Sequence, residues 1–531
     1  MKKKSILILS LVLLLALCLC GCGKPKGPQY IMLDNSRYPD NAEEIAAILT
    51  EEQLALLDQF PNLRRLDLSG STCYDAILAW AQAHPQVEVN YSVTLPGGHT
   101  VDRNTESLDL SKLSAEEVRS VLMLRRHLPK LQSVDLGSER EGLTLADARQ
   151  FLENEQDLEL AFRFPLFGTE CSIHEESLDL SRLTASQVGQ AALCLSAMPD
   201  LRTVELGSDT RTNHLSWDEI AQLQAAAPDA VFRYTFTLYD ESHNLSDTVL
   251  DLNHTPIYDE GAQVLRVARC MKQLETLDMD FCGVSNERMA QIRDALPGVD
   301  VIWRIWFGTG YSVRTDVVKI LASKPSEGGL LDDEQVQVLQ YCTKCKYLDL
   351  GHNETLTDLS FIRCMPDLEV LIVAMNPLGD LSPLAACPHL EYIEMFYSNI
   401  TDLSPLSELH ELRHLNIGMC DYLTSIEPLY GLTELERLYI GCLTPIPKEQ
   451  IARMHELAPK CEIDSVSSDT SLGDWRYKQT DKLSPEVRAW YQKQDYYVEN
   501  LTPRFALLRQ QFGYDELAYS FIWLDPKYNG A

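Results

Sequence analysis

Five hexapeptides of the form L-x-x-L-x-L recur at a nearly constant interval, and no other feature of the chain constrains its fold as strongly. Cys345-Lys-Tyr-Leu348-Asp-Leu350, with cysteine in the first leucine place, is followed after 23 residues by Leu368-Glu-Val-Leu371-Ile-Val373. Leu390-Glu-Tyr-Ile393-Glu-Met395 and Leu412-Arg-His-Leu415-Asn-Ile417 come after 22 more each, and Leu435-Glu-Arg-Leu438-Tyr-Ile440 after 23. A short strand with alternating leucines has one face to bury. A unit this small has no second layer to bury it against, so neighbouring units must stack. Asn353, Asn376 and Cys420 close the motif in three of the repeats, where an Asn side chain bonds turn backbone.

A longer unit precedes these. The same motif begins at Leu63, Leu131, Leu201 and Leu274, and the intervals up to Cys345 are 68, 70, 73 and 71 residues. A second motif, Leu108-Asp-Leu110, Leu178-Asp-Leu180 and Leu250-Asp-Leu252, recurs at 70 and 72. Each long unit therefore holds two strand motifs joined by helices, which open at the capping boxes Ser114-Ala-Glu-Glu117 and Ser216-Trp-Asp-Glu219. Alternating apolar runs, such as Val87 to Leu95 and Ala230 to Leu238, predict a strand with one wet face. Runs of this kind end at turns such as Pro96-Gly97-Gly98, Phe167-Gly168 and Phe307-Gly308, which predicts hairpins projecting from the stack.

The short repeats resemble leucine-rich repeats, and their return segments Asp380-Leu-Ser-Pro-Leu384 and Asp402-Leu-Ser-Pro-Leu406 resemble the internalin type. The resemblance implies an α/β leucine-rich-repeat solenoid, a curved parallel sheet with helices and turns on its outer face. Long units would occupy residues 31–320 and the short array 321–463. Such a pattern is specific to a fold and not to a ligand. Residues 464–531 break it: Ser465 to Asp474 reads as a linker, and Trp475, Trp490, Tyr491, Tyr496, Tyr497, Phe505, Phe512, Tyr514, Tyr519, Phe521 and Trp523 crowd the remainder. The expectation is a terminal cap; a small carbohydrate- or protein-binding module is the alternative.

The N-terminus addresses location. Lys2-Lys3-Lys4 precedes an apolar stretch, Ile6 to Leu19, that is too short to span a bilayer. Leu19-Cys20-Gly21-Cys22 then resembles the bacterial lipobox. That resemblance implies a signal peptide over residues 1–21, a diacylglycerol on Cys22 and a tether over 22–30 that includes Lys24-Pro-Lys-Gly-Pro28. An ordinary cleaved signal or an uncleaved anchor is the competing reading. Together with the repeats, the arrangement resembles leucine-rich-repeat surface lipoproteins of Gram-positive anaerobes. It implies an extracytoplasmic chain anchored by lipid to the cell membrane. Beyond Cys22 lie twelve cysteines without framework spacing, several at small apolar places of the repeats, which favours buried free thiols over a disulfide scaffold.

Charge narrows the partners. With 78 acidic against 46 basic residues, a net charge of −32, the chain is a poor ligand for nucleic acid or bare anionic membrane. Catalytic signatures are missing: there is no G-x-S-x-G, no H-E-x-x-H and no P-loop. Cys342-Thr-Lys-Cys345 lacks a second pair at zinc-site spacing. The run from Asp278 to Gly283 begins like a calcium loop but has Met289 at the twelfth place. The expectation is a non-enzyme without cofactor or metal, with an enzyme accessory the least supported alternative.

Two candidate surfaces remain. Asp67, Asp109, Asp135, Asp179, Glu205, Asp251, Asp278 and Asp349 all occupy the outward place of an L-x-L strand, so stacking would align them in an acidic column. At ~5 Å spacing each neighbouring pair in water repels by somewhat under ~1 kcal/mol, which a basic ligand would relieve. The plainer reading is that a short polar residue is common at this place. In the short array the outward residues are instead Val370, Ile372, Tyr392, Glu394, Phe396, His414, Asn416, Arg437 and Tyr439. Left exposed on a concave sheet, they would be interface anchors, unless the aromatic tail packs on them. The function expected is lipid-anchored surface recognition of a protein partner, with adhesion or binding of a host or cell-surface protein as one version. An envelope scaffold or glycan receptor is the alternative.

Overall fold

The computed structural model describes residues 28–209, 214–309, 311–323, 330–467, 475, 484–498, 501 and 504–511. Cys22 and the lipobox lie outside these residues, as do the aromatic positions from Phe512 onward. Two compact units are present, with their main boundary between Phe232 and Arg233.

In the first unit the strands Glu44–Ala46, Arg65–Asp67 and Glu88–Asn90 pair in parallel with Ile45, Leu66 and Val89 in register. All three of those residues are buried. A second parallel set joins Ser107–Asp109, Ser133–Ser138 and Glu159–Leu166 through Leu108, Val134 and Leu160. The connecting helix Ala115–Met123 opens as its sequence dictates: Ser114 Oγ accepts from the Glu117 N–H at 3.4 Å, and Glu117 Oε2 accepts from the Ser114 N–H at 2.8 Å. The helix Trp217–Ala226 carries the same box on Ser216 and Glu219 and buries Ile220 and Leu223.

The hairpins form at the expected turns, and the one at Phe167-Gly168 does not project but continues a parallel sheet. Glu159 to Ala161 pairs in parallel with Ser133 to Asp135. The same strand then pairs antiparallel with Thr169–Ser172 across the Phe167-Gly168 turn. Leu160, Phe162, Phe164 and Leu166 are all buried, so its apolar face is core. Projection would return that face to water at about 25 cal/mol per Å². The hairpin of the second unit, Arg304–Phe307 with Tyr311–Arg314, is a two-stranded sheet of its own.

That unit also contains a three-stranded parallel sheet, Val249–Asp251, Thr276–Asp278 and Asp300–Ile302. Its main element is a seven-stranded parallel sheet whose strands run in chain order: Lys319–Leu321, Tyr347–Asp349, Val370–Ile372, Tyr392–Glu394, His414–Asn416, Arg437–Tyr439 and Glu462–Asp464. Leu348, Leu371, Ile393, Leu415 and Leu438 share one register and expose no surface. Short 3-10 turns, among them Ser382–Ala386 and Ser404–Leu406, return the chain. Asp380 and Asp402 open these two by accepting from the N–H of Ser382 and Ser404 at 2.8 Å. One strand per repeat, buried leucines in register and turns on the return side make this an α/β leucine-rich-repeat fold.

The closing asparagines explain how the coils lock. Asn376 Nδ2 donates to the carbonyls of Leu350 and Val373, both at 3.0 Å, and its Oδ1 accepts from the Leu356 N–H at 3.4 Å. Asn353 does the same one coil earlier, to Ala322, Leu350 and Leu331. At Cys420 the thiol keeps only a donor, reaching the carbonyls of Met395 and Gly418 at 3.6 Å. Thr444 of the next coil adds to this, accepting from the Cys420 N–H at 3.2 Å and donating to the Ile417 carbonyl at 3.1 Å.

Candidate functional site

Parallel register decides what each outward position meets. Val370, Tyr392, His414, Arg437 and Glu462 form one row across the strands; Ile372, Glu394, Asn416, Tyr439 and Asp464 form the next. The expected interface residues are therefore brought together. They are not exposed: Val370, Tyr392, His414 and Asn416 are fully buried, Ile372, Glu394, Arg437 and Tyr439 nearly so, and Phe396 is half-buried. This corrects the expectation of an open patch. Two described tail residues pack on the sheet, with Trp475 and Leu508 joining Leu321, Tyr347, Val370, Ile372, Tyr392 and Tyr439 in one buried cluster. Adjacent strands bearing aromatic and aliphatic side chains are too costly to leave wet, and the aromatic segment is the part of the chain that can dry them.

Trp475 sits at the centre. Its ring lies 6.0 Å from Tyr392, 5.7 Å from His414 and 6.0 Å from Tyr439, with the Arg437 guanidinium 5.0 Å above it. The indole Nε1 donates to Glu394 Oε1 at 3.0 Å, the Tyr392 hydroxyl donates to the same carboxylate, and Arg437 Nη1 donates to the Trp475 carbonyl. Arg437 Nε also donates to Glu462 Oε1 at 2.9 Å, so these buried charges are paired. Further along, the Val498 N–H donates to Glu462 Oε2 at 3.1 Å and Gln511 Nε2 to Glu369 Oε2 at 2.9 Å. Gly418 makes room for this packing: a Cβ there would lie 2.4 Å from the Tyr439 ring.

His414 is the anomaly. Burial pushes its imidazole down to about 4, a shift opposed by Glu436, whose Oε2 is 3.7 Å away, and reinforced by Arg437. Among the described residues neither of its ring nitrogens has a hydrogen-bond partner, and neither does Asn416 Nδ2.

The acidic residues do not form a continuous column. Register places Asp109 beside Asp135, Asp179 beside Glu205, and Asp251 beside Asp278. Asp67 has Ala46 and Asn90 as neighbours, and Asp349 has Leu321 and Ile372. Their carboxylates are used locally. Asp67, Asp109, Asp135, Asp179, Asp251, Asp278 and Asp349 each accept from the N–H two residues on, at 2.8–3.0 Å, and so close the turn that follows the strand. The Ser111 hydroxyl and N–H hold Asp109 below the usual carboxylate range, and Ser181 does the same for Asp179. Turn chemistry explains the recurrence without a basic ligand. Among the described residues no group of three His, Cys, Asp or Glu is placed to hold a metal ion. Cys342 and Cys345 are free and buried, and burial pushes the Cys345 thiol up to about 12.

A rim not anticipated from sequence runs along the turns after the strands. His254, Phe281, His352, Met375, Tyr397 and Met419 hold φ of 56–61°. This is the left-handed region that glycine enters freely and bulky residues rarely do. Phe281 and Tyr397 are 47% and 59% exposed, and Trp306, 58% exposed, meets Phe281 edge-on at 6.3 Å. The only signal in the sequence is position, three residues past the outward strand residue, and no composition rule marks it.

No family model and no curated relative matches the chain. Among solved structures, it is similar to internalin C2 of Listeria monocytogenes, at 15% identity over 44% of this chain and 88% of that one, with a TM-score of 0.24. An internalin of the same organism, InlF, is 12% identical over 82% and 84%, with a TM-score of 0.23. A leucine-rich-repeat protein of Leptospira interrogans is 16% identical over 76% and 91%, with a TM-score of 0.26. Similarity at this level assigns no function.

Proposed function

We propose that this chain is a surface recognition protein, held on the outside of a bacterial membrane through lipid on Cys22, whose leucine-rich-repeat array binds a protein partner along its strand side. The observation that carries the reading is the rim. Holding a bulky side chain in the left-handed region costs on the order of 1–2 kcal/mol, and the second unit accepts this in coil after coil. The return is a rim on which Phe281, Trp306 and Tyr397 face water beside the half-buried Met375 and Met419, residue types that recur at protein interfaces. The N-terminal resemblance to a lipobox supports the location, and the repeat pattern supports protein recognition over chemistry.

The test is a photo-crosslinking residue at Tyr397 of the full chain on intact envelopes. Protein adducts that disappear when Phe281 and Trp306 are changed to Ser would support the reading. Adducts that fail to form, with retention on immobilised polysaccharide instead, would overturn it in favour of a glycan receptor.

A further inference from the structure

We infer that the slot filled by Trp475 is a binding site for a tryptophan-bearing segment of a partner protein, with this chain's own tail as its resident occupant. The inference rests on the recognition reading above and names the partner's anchor. A cap need only cover the last coil, the strand Glu462–Asp464. The tail reaches much further back: Trp475 bonds Glu394, Gln511 bonds Glu369, and Leu508 packs in the cluster that contains Tyr347 and Leu321. These described residues meet the face of the sheet as a ligand would.

The contacts are also those of a ligand. An indole N–H meets a buried carboxylate, the ring stacks under a guanidinium, and a backbone carbonyl takes an Arg437 hydrogen bond. Yet the fit is incomplete. His414 Nδ1 and Asn416 Nδ2 are buried with no hydrogen-bond partner among the described residues, and His414 Nε2 only faces Glu436 Oε2 at 3.7 Å. Each such group counts against docking, which makes the tail displaceable by a segment that serves them. Asn416 Nδ2 is a donor, and with the N–H of a neutral His414 turned toward the Glu436 carboxylate its Nδ1 is an acceptor, so the displacing segment supplies a carbonyl oxygen and an N–H beside its tryptophan. Lys346 holds Glu369 at 2.8 Å and Arg437 holds Glu462 at 2.9 Å, whereas Glu394 meets the indole N–H and Glu436 faces the imidazole; in this chain Trp475 is followed by Arg476 and Lys478. A tryptophan with basic neighbours is therefore the chemistry that fits.

The experiment compares the full chain with its Trp475→Ala variant, using as probe a fluorescent synthetic peptide of residues 466–484 and its tryptophan-to-alanine copy. In the wild type the tethered tail competes at an effective concentration near the millimolar range. The variant should therefore bind the probe at least tenfold more tightly than wild type, and the alanine copy at least tenfold more weakly than the probe. Random peptides panned on the variant should be enriched in tryptophan with basic neighbours and be displaced by the probe. Equal affinity for both chains, or binding indifferent to the peptide's tryptophan, would overturn the inference. If circular dichroism shows Trp475→Ala unfolded, Trp475→Phe keeps a ring and loses the indole N–H, and a several-fold rise in probe affinity is then expected. A doubled mass caused by exchange of tails between two copies would also overturn it. Failure is separable from that of the recognition reading: a partner crosslinked at Tyr397 but indifferent to the probe sinks only the slot, whereas probe binding without any crosslinked protein sinks only the recognition.

Discussion

His414 should make the tail-covered sheet acid-labile by an amount that can be worked out. In the closed form its imidazole is pushed down to about 4 by burial; when the face opens it regains the ordinary value near 6.5. Because the closed value is the lower one, the open form takes up a proton first. Stability is therefore full above about pH 6.5 and falls as pH drops toward 4. At pH 5 the open form is almost wholly protonated and the closed form almost wholly neutral, which costs about 2 kcal/mol relative to pH 8, or roughly a thirtyfold loss of protection. Glu436, Glu462, Arg437, Tyr392 and Trp475 all face the ring, so carboxylate titration must be subtracted. His414→Gln does this, since it keeps the neighbours and removes the titrating group. Amide exchange of the strand His414–Asn416 at pH 8 and pH 5, corrected for intrinsic rates, reads the opening free energy. The wild type should lose about 2 kcal/mol more than the variant; equal losses would refute the argument.

The core register predicts that Leu371→Ala, Ile393→Ala, Leu415→Ala and Leu438→Ala each cost on the order of 2–5 kcal/mol in urea unfolding, and undiminished stability in all four would refute the stacking. Asn376→Ala leaves two carbonyls and one N–H without their side-chain partner and should cost ~2–4 kcal/mol, far more than Ala at the exposed Glu354; equal costs would remove the asparagine ladder from the account. Cys22→Ala should release the protein into the medium or block its processing, and persistent labelling by a palmitate analogue would reassign the lipid.

The short array was legible because its physics is local. Leu371, Ile393, Leu415 and Leu438 repeat at the interval of one coil, and a parallel ladder simply overlays them. The capping boxes at Ser114 and Ser216 were equally plain, being contacts three residues apart. The fate of Tyr392 and His414 was not, because it depends on Trp475, a residue brought near by the tail's return and by no periodicity. Sequence offered both an open patch and a packed tail, and only the buried area decides between them. The acids failed for a related reason. Asp67 and Asp349 occupy the same place in the motif as Asp109, yet their neighbours come from the intervening strands Glu44–Ala46, Glu88–Asn90, Lys319–Leu321 and Val370–Ile372. Repeat position fixed which way each side chain points but not which strand lies alongside.

Burial of the thiols has a consequence for the lifetime of the molecule. The twelve cysteines from Cys73 to Cys461 are all free, and nine are buried, so in the folded chain most of them are closed to oxidants. A single excursion to the unfolded state exposes all twelve at once, in combinations that no native geometry selects. In an oxidising medium mispairing then competes with refolding, and each pair formed removes the chain from the reversible population. Outside a reducing setting, persistence of this protein is governed by how rarely it opens rather than by how favourably it closes.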